Sequence, residues 1–137
     1  QSLGEPGILV HGVAIKPGKP TILAVAEGKP VFGLPGHPMS CLVVFNLFCA
    51  PAIARWMGAT VDRLEISARL GANVPSIAGR EDFVSVKLRE QDGEVWAEPI
   101  FSKSAVISGL VYADGIMRIP LEAEGVEFGE KITVKLF

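Results

Sequence analysis

The chain has 137 residues, of which 49% are apolar and 20% are charged, and its formal net charge is −2 at pH 7. This balance is typical of a globular protein with a real core, and it excludes a disordered chain. No run of like charges is present, so charge gives no reason to expect nucleic acid or an anionic membrane as a partner.

The cysteines and the apolar segments bear on the cellular compartment. On one helix Cys41 and Cys49 would lie about 12 Å apart along the axis, too far for a disulfide. We therefore expect two core cysteines in a reducing cytoplasm. No secretory signal is visible, and the longest apolar stretch contains Asn46 and Pro51, so a membrane span is not expected. The chain begins with Gln1, which suggests a processed product or a piece of something longer.

The first block of the chain reads as three strands followed by a helix. The strands are predicted at 7–15, 21–27 and 30–34, and their nearly continuous apolar residues are typical of strands covered on both faces. A helix is predicted over 38–57, with Pro38 at its first position and Gly58 just past its end. Pro51 should kink this helix or divide it in two.

The second block alternates between apolar and polar residues, as half-buried strands do. These strands are predicted at 62–70, 82–90, 94–101, 115–120 and 131–137. They favour a small antiparallel β module in the form of a partly open barrel. The boundary is predicted near 58–61, which gives one domain over 1–58 and a second over 59–137.

The stretch GLPGHP, residues 33 to 38, connects a predicted strand directly to the helix. Such a connection brings backbone N–H groups and the positive helix end to one edge of a sheet, where anions bind. Gly36 allows close approach of a ligand, and Pro35 and Pro38 fix the loop in advance. Ser40, in the first turn, is expected to donate its hydroxyl to the same ligand. Taken alone, this loop is more often a simple connection.

Basic residues occur at two other loops. Lys16 and Lys19, within KPGKP, follow another strand in a region poor in acid, and they point to a phosphate or oxyanion. Two such lysines are more often solvated surface charges. Arg80 either clamps a ligand or pairs with Glu81 or Asp82. His37 has no neighbouring metal-ligand pattern, and we expect it to contact the ligand or cap the helix.

Four segments in this order, GVAIKPGKPTIL, PVFGLPGHPMSCLVVFNLFCAPAI, GREDFVSVKL and SKSAVISGLVYADGIMRIP, resemble the carboxyl-terminal part of the molybdopterin molybdenumtransferase family, the MoeA and gephyrin E-domain type. The resemblance runs over essentially the whole chain. It implies an α/β plus all-β protein: the end of a three-layer α/β molybdopterin-binding domain of the MoaB/MogA type, followed by a small β-barrel-like domain, MoeA domain IV.

The resemblance also implies the last step of molybdenum cofactor assembly. Enzymes of this family insert molybdate into adenylylated molybdopterin and release AMP, with Mg²⁺ assisting. The resemblance makes Lys16 and Lys19 catalytic residues, with Lys16 as the main electrostatic one. Residues matched to the substrate pocket are Pro35, Gly36, His37, Pro38, Ser40, Arg80 and Ser104.

Two departures from the family bear on this interpretation. Many members have Asn where this chain has His37, although histidine can still donate or accept a hydrogen bond at that position. The amino-terminal domains and the glycine-rich and acidic motifs that serve the pterin and Mg²⁺ are absent. We therefore expect an incomplete enzyme, inactive alone, which pairs with the missing domains, pairs with a second copy of the chain, or has little stability. The family resemblance implies a homodimer.

The residues leave other function classes open. A non-enzymatic module could hold a peptide near the β domain, as scaffolding relatives do, or could simply bind an oxyanion. An enzyme piece should lose ligand affinity with Lys16→Ala or Arg80→Ala, whereas a docking module should respond to apolar changes on the β domain. Molybdate and tungstate are not distinguished, because both are tetrahedral dianions of similar size.

Overall fold

The computed structural model describes residues 4–101 and 111–137. The chain divides into two compact units, Gln1–Val61 and Asp62–Phe137. Ser104, predicted to line the pocket, lies outside the described residues.

The first unit contains a three-stranded antiparallel sheet in the order β1-β3-β4, made of β1 (Pro6–His11), β3 (Ile22–Ala26) and β4 (Lys29–Gly33). A two-residue strand, β2 (Ile15–Lys16), lies between β1 and β3 in the chain. The ends of the three long strands agree with the predicted ends to within one residue, with one exception. The first strand ends at His11 and not at residue 15.

The prediction that these strands are covered on both faces is wrong for β1. Ile8 is 50% exposed and Leu9 is 61% exposed. The register of β1 against β3 shifts between Ile8 and Val10, so Leu9 occupies a bulge on an edge strand. A continuous apolar strand shows that burying its side chains would be favourable. It does not show that the element that would bury them belongs to the same unit.

The predicted helix has three parts: α1 (Pro38–Val44), a π-helical segment (Phe45–Cys49) and α2 (Ala50–Trp56). The expected disturbance by Pro51 is confirmed, and it has a simple cause. Proline has no N–H to donate to the carbonyl of residue 47, and its ring collides with that carbonyl, so the preceding turn widens. Gly58 ends the helix as predicted, with φ of 68°, and the Ala59 amide donates to the Ala54 carbonyl at 2.8 Å.

The helical segment carries an exposed apolar face. Five large side chains on or just beyond it are exposed, and they are Phe45, Leu47, Ile53, Trp56 and Met57. By length and composition alone, Pro38–Trp56 could cross a membrane. The core helix of a soluble protein passes the same test, so this likeness by itself decides nothing. Both cysteines of this helix are free, and burial raises the pKa of the Cys49 thiol.

The second unit is a closed β-barrel of five strands: β5 (Glu65–Leu70), β7 (Glu81–Gln91), β8 (Glu94–Pro99), β9 (Gly115–Ile119) and β11 (Lys131–Leu136). They follow the order β7-β8-β5-β11-β9, and pairing of β7 with β9 closes the ring. The expected partly open, antiparallel module is corrected in two respects. The barrel is closed, and β5 pairs with β8 in parallel.

The barrel core is formed by inward-facing residues of all five strands. Its fully buried members include Leu70, Val86, Met117, Ile119 and Val134. Two short strands, β6 (Val74–Pro75) and β10 (Gly125–Val126), pair as a separate antiparallel ribbon. Two-residue strands carry no alternation, so sequence periodicity did not predict them.

Candidate functional site

The two predicted anion-binding loops leave the sheet of the first unit at the same end. In the register of β3 and β4, Ile22 lies opposite Gly33. Only Thr21 separates the KPGKP turn from Ile22, and the GLPGHP loop continues from Gly33. Antiparallel pairing therefore places the start of β3 beside the end of β4, which is the arrangement that a shared binding edge requires.

Packing against the helix fixes the KPGKP turn. A Cβ atom on Gly18 would lie 2.8 Å from Ile15 Cδ1 and 2.8 Å from Val44 Cγ2, so one of these side chains would have to shift to admit it. Gly18 also has φ of 122°, which disfavours other residues. The turn is thus seated on α1, the helix that the GLPGHP loop begins.

Charge separates along the same sheet. Lys16 and Lys19 are exposed at the end where the loops leave. The acidic residues of the unit, Glu5 and Glu27, adjoin the paired residues Pro6 and Ala26 at the opposite end. With two exposed lysines at this end and the acidic residues of the unit at the far end of the sheet, this end offers an anion a positive field.

The GLPGHP loop gives a mixed result for the predicted contacts. His37 is the N-cap of α1 in an extended conformation (φ −79°, ψ 132°), with no side-chain capping hydrogen bond, and its carbonyl accepts from the Cys41 amide at 2.8 Å. Gly36 and His37 are exposed, and Pro38 is half-buried at the first turn. Pro35 is buried.

Ser40 differs from the expectation that its hydroxyl meets an open pocket. Its side chain is only 4% exposed and lies within the unit. The first turn of a helix places successive residues about 100° apart, so one of the first three positions must face the interior. In this chain Met39 and Ser40 face inward.

Arg80 belongs to the second unit, and its pairing is resolved in favour of Asp82. Arg80 Nε lies 2.9 Å from Asp82 Oδ1, and Nη2 lies 3.4 Å from Oδ2. Glu81 pairs with Arg118. Asp82 is 3% exposed, so the carboxylate is a buried anchor for a guanidinium that is itself one third exposed. Among the described residues Nη1 has no hydrogen-bond acceptor, which leaves this edge of the guanidinium able to bind an anion.

The described residues do not fit a Mg²⁺ site. They contain no group of three or more His, Cys, Asp or Glu side chains that could hold a metal ion. Mg²⁺ is bound by carboxylate oxygens, waters and substrate phosphates. We therefore derive no step through this ion from the residues of this chain.

Sequence reasoning named Asp82 as a possible partner of Arg80, and the structure selects it. It missed Thr21, which is fully buried beside the KPGKP turn. The signal for Asp82 was its spacing, because residues two apart on a strand share a face. No comparable signal existed for Thr21, because its hydrogen-bond partner depends on the fold of the turn.

Two protein families match the chain. The family described as "MoeA C-terminal region (domain IV)" matches residues 67–137, and the one described as "Probable molybdopterin binding domain" matches residues 1–55.

Three related proteins cover nearly the whole chain. A molybdopterin biosynthesis protein of Methanocaldococcus jannaschii is 40% identical over 99% of the chain, and the molybdopterin molybdenumtransferase of Bacillus subtilis is 31% identical over 94%. The crystal structure of a molybdopterin biosynthesis MoeA protein from Pyrococcus horikoshii superposes with a TM-score of 0.81 at 42% identity and covers 98% of the chain.

These relatives are much longer. The chain spans 31% of the Methanocaldococcus protein, 30% of the Bacillus protein and 32% of the Pyrococcus structure. Together with the observed strands and helix, the matches confirm the predicted fold class: a MoaB-like α/β portion followed by a small β-barrel domain.

Proposed function

Because the chain belongs to the molybdopterin molybdenumtransferase (MoeA) family, we propose that it is the carboxyl-terminal part of an enzyme of molybdenum cofactor biosynthesis. This enzyme inserts molybdate, or tungstate, into adenylylated molybdopterin and releases AMP. In this proposal residues 1–58 complete the molybdopterin-binding α/β domain, and residues 59–137 form domain IV.

One observation carries the proposal within the chain: the KPGKP and GLPGHP loops leave the sheet at the same end, which is also its basic end. Both substrates are anions, one a tetrahedral dianion and the other a phosphate-bearing pterin. Gathering them requires fixed positive charge and backbone donors at one place, and placing them together lowers the barrier by removing the entropy cost of encounter.

The residues have distinct proposed roles. Lys16 and Lys19 stabilise the negative charge of molybdate and of the phosphate, with Lys16 as the main electrostatic residue. Gly36 lets the ligand approach the backbone, and His37 lines the same loop. Pro35 and Pro38 keep the loop in its binding conformation.

The remaining predicted site residues have supporting roles. Ser40 is buried, so its proposed contribution is to hold the first helical turn behind the loop. Arg80 offers Nη1 to a substrate anion while Asp82 holds the rest of its guanidinium. Ser104 remains a proposed contact, carried by the family resemblance alone.

The chain supplies only part of the proposed active site. The remaining domains of the longer protein, and a second copy in a homodimer, are the proposed protein partners, and the proposed location is the cytoplasm. Mg²⁺, where it binds, would take ligands from those other domains. The chain alone is expected to be inactive.

The proposal is tested against the docking-module alternative by binding. We expect molybdate affinity, measured by titration calorimetry, to fall about tenfold with Lys16→Ala, the loss typical of one charge-assisted contact. Lys29→Ala is the matched control, because Lys29 starts β4 at the opposite end of the sheet, and it should change affinity less than about twofold.

The barrel supplies the opposing control. Phe128 is 62% exposed on the β domain, so Phe128→Ala should leave molybdate affinity unchanged. Equal effects of Lys16→Ala and Lys29→Ala would indicate non-specific charge attraction. Indifference to both lysines, combined with loss of a peptide partner on Phe128→Ala, would favour the docking module.

A further inference from the structure

We propose that Thr21 is a positioning residue for Lys19. Its buried hydroxyl fixes the Gly18–Lys19 peptide, and this directs Lys19 to the end of the sheet where the anion is proposed to bind. This inference rests on the proposed function of the KPGKP turn, and it adds a residue that neither charge nor motif singles out.

The contacts of Thr21 are local and specific. Its side chain is 0% exposed, and its hydroxyl donates to the Gly18 carbonyl at 2.6 Å. Its own carbonyl accepts from the Gly12 amide at 2.8 Å, which ties the turn to the strand that leads into it. The buried hydroxyl is thereby satisfied by the turn itself, and the strand entering the sheet after Thr21 provides a rigid base.

The Gly18 carbonyl belongs to the Gly18–Lys19 peptide, so the hydroxyl fixes the plane before Lys19. The plane after Lys19 is fixed as well, because the Lys19 carbonyl accepts from the Val13 amide at 3.0 Å. With both adjacent planes held, the Cα–Cβ direction of Lys19 is determined by the backbone. A lysine is flexible beyond Cβ, so fixing its base is the main way in which a fold can pre-order it.

The helix prevents the turn from adjusting by itself. Gly18 lies against Ile15 and Val44 with no room for a Cβ. If the hydroxyl were removed, the Gly18 carbonyl would lose its buried donor. The Gly18–Lys19 peptide could then rotate only by pressing against the Ile15 and Val44 side chains or by moving away from them. An unpaired buried carbonyl is costly, so we expect the turn to move.

The test uses the 137-residue chain and three substitutions. Thr21→Val keeps the side-chain shape but removes the donor, Thr21→Ser keeps the donor, and Lys19→Ala removes the target. The first measurement is amide hydrogen exchange without ligand. Thr21→Val should accelerate exchange of the Val13 amide at least about fivefold, because its acceptor, the Lys19 carbonyl, adjoins a peptide plane that the hydroxyl no longer holds. The barrel amides of this variant, and the Val13 amide of Thr21→Ser, should exchange at close to the parent rate.

The second measurement is a double-mutant cycle with molybdate as the probe. Thr21→Val should weaken binding about fivefold to tenfold, and Thr21→Ser should restore most of it. Added to Lys19→Ala, Thr21→Val should cause no further loss, because the residue that it positions is gone. Additive losses would show that Thr21 does not act through Lys19 and would overturn the proposal.

The two measurements separate this inference from the proposed function. If the parent binds molybdate through Lys19 and Thr21→Val changes neither exchange at Val13 nor affinity, the positioning role is wrong while the function stands. If exchange responds as expected but no lysine-dependent molybdate binding is found, the role of the Thr21 hydroxyl in fixing the turn is supported and the proposed function is contradicted. Uniformly faster exchange across the first unit would reduce Thr21 to a structural residue and overturn the proposal.

Discussion

At the scale of single residues, the candidate site depends on how the fold separates charge. Two exposed lysines share one end of a small sheet, and the acidic residues of that unit lie at the other end. The motif KPGKP identified the lysines, since their type and spacing are visible without a structure. The sequence did not show that Ser40 is buried or that Gly18 packs against Val44, because both depend on which elements pack together.

A pH-dependent contribution to stability is predicted at Asp114. Its carboxylate accepts from the Leu88 amide at 2.7 Å and from Lys87 Nζ at 2.9 Å. The backbone hydrogen bond and then the lysine hold the pKa of Asp114 below its ordinary value. A carboxyl with a lowered folded-state pKa stabilises the fold above the unfolded-state pKa, about 3.9, and this stabilisation is lost as pH falls through the folded-state value.

The test is Asp114→Asn, with unfolding by urea measured between pH 7 and pH 2. At pH 7 we expect the variant to be less stable by about 1 kcal/mol, a modest figure because the carboxylate is partly exposed and solvent screens it. The difference should shrink as pH falls below about 4. Glu65→Gln is the control, since its exposed pair with Lys135 should matter little. A difference that is constant over the whole range would contradict the assignment.

At the scale of elements, alternation and terminal signals predicted most of the barrel strands and both ends of the helix. Pro38 and Gly58 act through local backbone chemistry, so their positions are readable from sequence. Strand partners are different, because a period of two shows which face is buried but not which strand lies alongside. The parallel pairing of β5 with β8 and the closure of β7 on β9 therefore had to come from the structure.

Strand β11 allows a direct test of the alternation, because adjacent residues on it face opposite sides. Val134 is 0% exposed within the barrel core, and Thr133 is exposed. We expect Val134→Ala to lower the free energy of unfolding by about 2 to 3 kcal/mol through lost burial and a cavity. Thr133→Ala should change it by less than about 0.5 kcal/mol. Similar costs for the two variants in chemical denaturation would refute the inward-facing register of this strand.

At the scale of the whole molecule, the first unit exposes more apolar surface than its own elements can cover. The exposed helix residues and β1 lie in a part of the chain that matches a molybdopterin-binding domain, and the relatives are about three times longer. We infer that the remaining domains cover this surface. Composition predicted a core for this chain but could not show which apolar side chains of the first unit stay exposed.

An apolar dye distinguishes the covered from the uncovered state. We expect the isolated chain to bind the dye through the helix face, and the double substitution Phe45→Lys and Ile53→Lys to remove most of the signal. A chimera in which this chain replaces the matching third of the Pyrococcus horikoshii protein should bind several-fold less dye. The exposed barrel residue Phe128, changed to Lys, serves as the control. Equal dye binding by chimera and isolated chain, or insertion of the helix into lipid vesicles, would contradict this account.

The central claim is that the basic loops of this chain belong to an active site for molybdate insertion, and turnover tests it most directly. The measurement is molybdate-dependent release of AMP from adenylylated molybdopterin by the same chimera, with the isolated chain alongside. We expect the chimera to be active, the isolated chain to be inactive, Lys16→Ala to lower kcat/KM by about a hundredfold, and Lys29→Ala to leave it unchanged. A folded chimera that releases no AMP, or one in which Lys16→Ala retains full activity, would contradict the claim.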